Sequence, residues 1–257
     1  MDEHITLSVI APVFNGEKTI VEFILRTENT LRSLRLSYEM LLVDDGSNDD
    51  SLKMMQRLQQ EYPALVIVKL QQNYGQSNAI AAGLSLAKGN FIVVMDSDLQ
   101  DKPEDIIPLY NKLEKANVDM IIATRPEANV ALWRNLGSIA FYQLSRILTR
   151  IKHPHSAGVF RIMNAECLVT LPEMLQKPGT ILSQMHAAGI SWKTISLPRD
   201  NRAAQKSNYT FRDMIKLALS RLLPFNRLPL QWLGKSLFKC YVPQFKIAQI
   251  FREQDNV

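Results

Sequence analysis

The chain of 257 residues contains only two cysteines, Cys167 and Cys240, and ten glycines. Two thiols cannot staple a chain of this length, so a disulfide scaffold is excluded. Glycine is too scarce and too irregular for collagen-like repeats. No apolar run approaches the about 20 residues that a membrane-spanning helix needs. No secretory leader is expected either: Met1-Asp2-Glu3-His4 is acidic where such a signal would be basic, and the first apolar run ends at Pro12. These absences predict a reducing, cytoplasmic setting.

What is present suits a full core. Hydrophobic residues make up 46% of the chain, charged residues 21% and aromatics 8%, which excludes disorder and fits one large or two small domains. The net charge of +5 is unevenly spread. Residues 199–257 hold eleven Lys and Arg against four Asp and Glu, a net of +7, leaving −2 for residues 1–198. An acidic body with a basic tail predicts an anionic partner: nucleic acid, a membrane surface or a phosphate-bearing substrate.

Patterning predicts an α/β domain. Apolar runs at Ile5–Pro12, Tyr38–Val43, Leu65–Leu70, Phe91–Met95 and Asp119–Thr124 read as buried strands. Between them lie helical patterns at 17–36, 49–62, 75–87 and from Pro103 onward. Continuous apolar strands alternating with amphipathic helices predict a mostly parallel sheet covered on both faces. A long helical pattern at 132–151 follows, then short runs at Val159–Ile162 and Ile190–Leu197 that read as extra strands at the sheet edge. Beyond Tyr209 the pattern becomes a basic amphipathic helix interrupted by Pro224, Pro229 and Pro243.

Ligands of open parallel sheets bind beyond the carboxyl ends of the strands. Strand one ends in Pro12-Val13-Phe14-Asn15, strand two in Val43-Asp44-Asp45-Gly46-Ser47 and strand four in Asp96-Ser97-Asp98-Leu99-Gln100-Asp101. Asp, Asn and Gly also make ordinary loops. Carboxylates gathered on adjacent strand ends, however, repel one another unless a cation sits among them. The alternation Asp96-Ser97-Asp98 suits a hard divalent ion with oxygen ligands and positions left open for phosphates. Phosphorylated receiver domains share acidic strand ends, but are about half this length and would leave the basic tail unexplained. A dinucleotide fold needs Gly-x-Gly-x-x-Gly after strand one, where this chain has Asn15-Gly16-Glu17-Lys18.

The motifs Pro12-x-Phe14-Asn15, Val43-Asp44-Asp45-Gly46-Ser47, Asn73-x-Gly75-x-x-x-Ala79-x-x-x-Gly83 and Asp96-Ser97-Asp98-Leu99-Gln100-Asp101-x-Pro103-Glu104 occur in that order. Together they resemble the family 2 glycosyltransferases of the GT-A fold, most nearly the dolichyl-phosphate mannose synthase and polyprenyl-phosphate glycosyltransferase branch. The resemblance continues through Thr124-Arg125, Phe160-Arg161 and Arg202-x-x-Gln205-x-Ser207-Asn208-Tyr209, covering about residues 5–215. It implies a GT-A catalytic domain over 1–210, with a Rossmann-like sheet, and a basic helical appendage over 211–257. It also implies a nucleotide-sugar pocket formed by Pro12, Phe14, Val43, Asp45, Asp96 and Ser97, with Asp45 accepting a hydrogen bond from the base. Asp96, Asp98 and Gln100 would ligate magnesium or manganese, and Arg125, Arg202 and Lys206 would hold phosphate groups.

Three departures bear on the acceptor. Gly16 stands where the branch usually has Glu, with Glu17 next to it. Gln205 and Asn208 replace a Gly and a Lys. His155-Ser156-Ala157 occupies a position where an Asp is common. A sugar hydroxyl needs a base to take its proton, whereas a phosphate acceptor is already ionised near neutral pH. The lost Asp therefore favours a polyprenyl phosphate, while His153, His155 or Asp101 would serve a hydroxyl. Asp101 has a plain alternative as a helix-start residue before Pro103.

The expectation is an inverting transferase that moves a sugar from a nucleotide-diphosphate sugar to a polyprenyl-phosphate or lipid-linked acceptor. The chain would sit peripherally on the inner face of the membrane, its basic helices gaining about 1 kcal/mol per base near an anionic leaflet. Packing of those helices on their own domain or on a second subunit, as a homo-oligomer, is the alternative to membrane contact. Nucleic acid is not expected, since no recognition motif accompanies the charge. Two other functions are carried forward: transfer to a hydroxyl of a growing polysaccharide, and a degenerate sugar-nucleotide-binding protein.

Overall fold

The computed structural model describes residues 4–124, 157–177, 181–198 and 243–252. Among them, five parallel-type segments appear close to where the apolar runs predict them: β1 (Leu7–Val13), β2 (Tyr38–Asp44), β3 (Leu65–Leu70), β4 (Phe91–Val94) and β5 (Met120–Thr124). The intervening helices are α1 (Ile20–Leu34), α2 (Ser51–Gln59), α3 (Gln76–Leu84) and α4 (Ile106–Lys115), the last entered through a 3-10 turn at Pro103–Asp105. Later come β6 (Ala157–Asn164), α5 (Leu171–Met174), α6 (Ile181–Ala187), β7 (Trp192–Ser196) and β8 (Ile247–Phe251).

The eight strands form one sheet in the order β7-β5-β6-β4-β1-β2-β3-β8. β1 pairs parallel with β2 and β4, β2 with β3, and β5 with β7. β6 runs antiparallel between β4 and β5, which leaves those two pointing the same way. β8 is antiparallel on the other edge, against β3. The sheet is thus mostly parallel, as expected.

Two placements correct the sequence reading. Val159–Ile162 belongs to a strand in the interior of the sheet, not at its edge; of the two runs read as edge strands, Ile190–Leu197 alone supplies one, β7. An apolar run announces burial but not its neighbours, which are set by long-range pairing. Ile247–Phe251, read as part of the helical appendage, is a strand whose neighbour β3 supplies its hydrogen bonds. The rest of the 211–242 segment, and the helical pattern at 132–151, lie outside the described residues.

Strand alternation splits the core into two layers. Leu7, Val9, Ala11 and Val13 of β1 face Phe23, Ile24 and Leu31 of α1, together with Met55 of α2 and Leu109 of α4. Ile10, Leu41 and Val43 face the other way, onto Ala79, Ile80, Ala82 and Leu84 of α3. α3 lies unusually close to the sheet because its buried face is built from Ala and Gly. A Cβ at Gly83 would come within 2.4 Å of Ile10 Cγ2 and 3.2 Å of Val43 Cγ2. The Ala79…Gly83 part of the sequence motif is therefore a packing signature rather than a ligand signature.

Order matters for the site. β2 and β3 extend from one side of β1 and β4 from the other, so the chain reverses direction across the sheet between β1 and β4. A crevice opens at such a switch point, beyond the carboxyl ends of the strands.

Candidate active site at the carboxyl ends of the strands

Four loops meet at the switch point, and side chains lace them together. Asn15, Gly16 and Glu17, after β1, present three consecutive N–H groups to the loop after β2. Asn15 donates to Ser47 Oγ (3.0 Å), Gly16 to Ser51 Oγ (2.8 Å) and Glu17 to Asp49 Oδ2 (3.1 Å). Asn48 N–H returns the favour to Asn15 Oδ1 at 2.9 Å. Asn15 holds a left-handed backbone (φ 52°), which asparagine tolerates better than most residues. Asp49 also accepts from the hydroxyl and N–H of Ser51.

The loop after β2 then grips the loop after β3. Asp45 Oδ1 accepts from Tyr74 N–H at 2.7 Å and Asp45 Oδ2 from Gly75 N–H at 2.8 Å. Both donors immediately precede α3, so the carboxylate pins the turn that leads into that helix. Gly46 (φ +72°) lies so close to the β3 loop that a Cβ would sit 2.7 Å from Asn73 N. Only glycine satisfies both the angle and the contact.

The last links reach β4. Gln76 Nε2, in the first turn of α3, donates to Asp96 Oδ1 at 2.5 Å, and Ser97 Oγ donates to the Pro12 carbonyl at 2.8 Å. The circuit from β1 through β2, β3 and β4 back to β1 is closed. Neither Gln76 nor Asp49 was singled out from sequence; their adjacency to Gly75 and to the Asp45-Gly46-Ser47 motif was the available signal.

The predicted residues separate by exposure. Phe14 is 48% exposed, a large ring left open beside the crevice. Pro12 is half-buried, with its carbonyl committed to Ser97. Val43 has a fully buried side chain facing α3, so only its backbone is available to a ligand. Asp45 is 3% exposed and both its oxygens already accept N–H bonds. Burial pushes the Asp45 carboxyl up; the Tyr74 and Gly75 donors oppose that rise and the charge of Asp44 adds to it.

The β4 loop contrasts with this. Asp98 is exposed, with Oδ1 accepting only the nearby Gln100 N–H at 3.0 Å among the bonds assigned to it. Between them Leu99 adopts a left-handed backbone (φ 61°) while its side chain is 1% exposed in the core. The burial of Leu99 holds Asp98 and Gln100 outward on either side. Asp101 is buried, and Lys102 rather than Asp101 occupies the N-cap of the following turn, which has no side-chain cap. Arg125, Arg202 and Lys206, like His153, His155, Gln205 and Asn208, lie outside the described residues. Arg125 directly follows Thr124, which ends β5 on the same side of the sheet as the crevice.

Asp96, Asp98 and Gln100 offer hard oxygen donors of the kind magnesium or manganese takes. Among the described residues no three His, Cys, Asp or Glu side chains gather into a cage. That donor set fits an ion held by one or two carboxylates and completed by substrate phosphates, the usual way these cations are bound at phosphate sites. Also among the described residues, no helix is long and apolar enough to cross a membrane.

Comparison with known proteins agrees with this architecture. The model of the family described as "Glycosyl transferase family 2" matches residues 8–171. The chain is 30% identical over 232 residues to the uncharacterized glycosyltransferase YkcC of Bacillus subtilis (strain 168), covering 90% of this chain and 72% of that protein. It is 37% identical over 133 residues to undecaprenyl-phosphate 4-deoxy-4-formamido-L-arabinose transferase of Klebsiella pneumoniae (strain 342), which is 51% of this chain and 40% of that one. Among solved structures, glucosyl-3-phosphoglycerate synthase from Mycobacterium tuberculosis, crystallised with Mn2+ and uridine-diphosphate-glucose, superposes with a TM-score of 0.58. The identity there is 20%, and the match covers 84% of this chain and 79% of the other. At that identity the likeness establishes the fold, which is GT-A.

Proposed function

The chain belongs to glycosyl transferase family 2, and from that premise we propose that it moves a sugar from a nucleotide-diphosphate sugar to a polyprenyl phosphate. The observation that carries the reading is the pair Asp96 and Asp98 at the end of β4, beside the switch point between β1 and β4. The undecaprenyl-phosphate transferase relative supports the acceptor class, and so does the absence of an Asp at Ser156.

In the proposed reaction an ionised phosphate oxygen of the acceptor attacks the anomeric carbon. The bond from that carbon to the donor diphosphate breaks on the opposite side, inverting the centre and releasing a nucleoside diphosphate. No proton has to be removed, so no base is required. Phe14 offers its open ring to the base, and the laced loops fix its distance from Asp96 and Asp98 without reorganisation on binding. Asp45 holds the Tyr74-Gly75 turn through both its oxygens, and its remaining lone pairs are assigned to the hydrogen bond from the base. Asp96 and Asp98, with Gln100, would hold magnesium or manganese, whose chemistry there is Lewis-acid stabilisation of the leaving diphosphate. Arg125, Arg202 and Lys206 are assigned to phosphate binding on the sequence motif.

Residues 1–210, with β8 returning to the sheet, are assigned to the catalytic unit. The +7 charge of residues 199–257 supports peripheral contact with an anionic cytoplasmic leaflet. The test is a panel of nucleotide sugars incubated with manganese and either a polyprenyl phosphate or an oligosaccharide acceptor. An acid-labile glycosyl phosphate as product is the expected result. Transfer to the hydroxyl acceptor alone would replace the acceptor assignment, and nucleotide binding without any turnover would make the chain a binding protein.

A further inference from the structure

The β4 loop carries Asp96, Asp98 and Asp101 through a left-handed residue, Leu99, and such backbone persists only when its surroundings over-determine it. At its near end the loop is tied by Gln76 and by the Ser97–Pro12 bond. Its far end meets α1. There Arg26 Nε donates to Glu104 Oε1 at 2.9 Å and Nη2 to Glu104 Oε2 at 2.7 Å, a two-pronged fork, while Nη1 reaches Glu22 at 3.2 Å. The partners are 78 residues apart in sequence. Pro103, next to Glu104, is buried against the core. Glu104 closes the acidic motif, yet it stands beyond the crevice and has no part in the chemistry proposed above.

We propose that Arg26 is a positioning residue: by gripping Glu104 from α1, it fixes the far anchor of the loop that presents Asp96 and Asp98. The inference rests on the transferase reading for its catalytic consequence, but not for its structural one. A planar guanidinium fork transmits direction as well as charge, which a lysine cannot match. α1 follows β1 and its buried face is packed in the core, so the fork ties the carboxylate loop to a helix that is itself anchored.

Three variants test this: Arg26→Ala, Glu104→Gln and the exchanged pair Arg26→Glu with Glu104→Arg. Hydrogen exchange in the ligand-free protein is read for residues 97–105 against β1. The loop should exchange about tenfold faster in both single variants while β1 is unchanged, as expected for a local rather than global opening. In transfer assays the single variants should need about tenfold more manganese for half-maximal rate, with nucleotide affinity measured without metal left within about twofold. The exchanged pair should recover a large part of both losses. Unchanged loop exchange in Arg26→Ala would overturn the proposal, as would parallel loss of metal response, nucleotide affinity and β1 protection. If the wild type transfers no sugar while the loop still loosens, the latch stands and the transferase reading falls.

Discussion

Two acidic loops flank the crevice, and although their compositions are alike their chemistry is not. Asp44-Asp45 ends β2 and Asp96-Ser97-Asp98 ends β4, each placing carboxylates at a strand terminus beside β1. In the first loop both oxygens of Asp45 are used to hold two backbone N–H groups, and Asp44 Oδ1 accepts from Ser47 N–H at 3.2 Å. In the second, Asp98 stands exposed on a backbone turned outward by the buried Leu99. One loop spends its carboxylates on backbone donors, and we propose that the other offers ligands. Carboxylates at strand ends must therefore be sorted by what already occupies their oxygens.

Substitutions can test this contrast. The largest effect should fall on Asp98→Ala, which should reduce sugar transfer by at least about a thousandfold, the scale seen on losing a group that stabilises transition-state charge. Its unfolding midpoint should stay within about 2 °C of wild type, since an exposed side chain away from packing contributes little to stability. Chelation of divalent ions should have the same effect on transfer. Asp45→Asn should do the reverse. An amide cannot accept from both Tyr74 and Gly75, so urea unfolding should show a loss of about 1–3 kcal/mol. Transfer would then fall through weakened nucleotide binding. If Asp45→Asn were fully stable and inactive, the distinction between the two loops would collapse.

Smaller effects sharpen the frame around the loops. Gly83→Ala should cost about 1–3 kcal/mol by overpacking against Ile10, with the nucleotide KM rising as α3 is pushed from the sheet. The Arg26 fork holds the Glu104 carboxyl below the usual range, with burial opposing it. A lowered carboxyl stabilises the fold above its unfolded value of about 4, and that contribution disappears as pH falls through the folded value. The difference in unfolding midpoint between wild type and Glu104→Gln should thus be present at pH 6 and vanish in acid, once the folded-state carboxyl is itself protonated. Because the pair is partly exposed, the difference should be small and should shrink with added salt.

Much of the frame was legible from residue order alone. β1 to β5 are continuous apolar runs, and burial on both faces leaves that mark in sequence. Phe14, Asp45, Asp96 and Asp98 stand out as candidates because strand ends are where such sheets bind ligands. What was not legible depends on partners distant in the chain. β6 looks like an edge strand until β4 and β5 close on either side of it. Ile247–Phe251 satisfies a helical face as readily as a strand until β3 provides the ladder. The Gln76–Asp96 and Arg26–Glu104 contacts span 20 and 78 residues, and no local pattern encodes them. Nor could sequence tell Asp45 from Asp98, because the N–H groups that occupy Asp45 belong to another loop.

The most direct test of the account is manganese-dependent release of nucleoside diphosphate from sugar nucleotides, measured side by side for wild type and Asp98→Ala with a polyprenyl phosphate present. Release by wild type that needs the metal, and its loss in a variant with unchanged unfolding midpoint, is the predicted result. Metal-independent release, or a fully active Asp98→Ala protein, would contradict it.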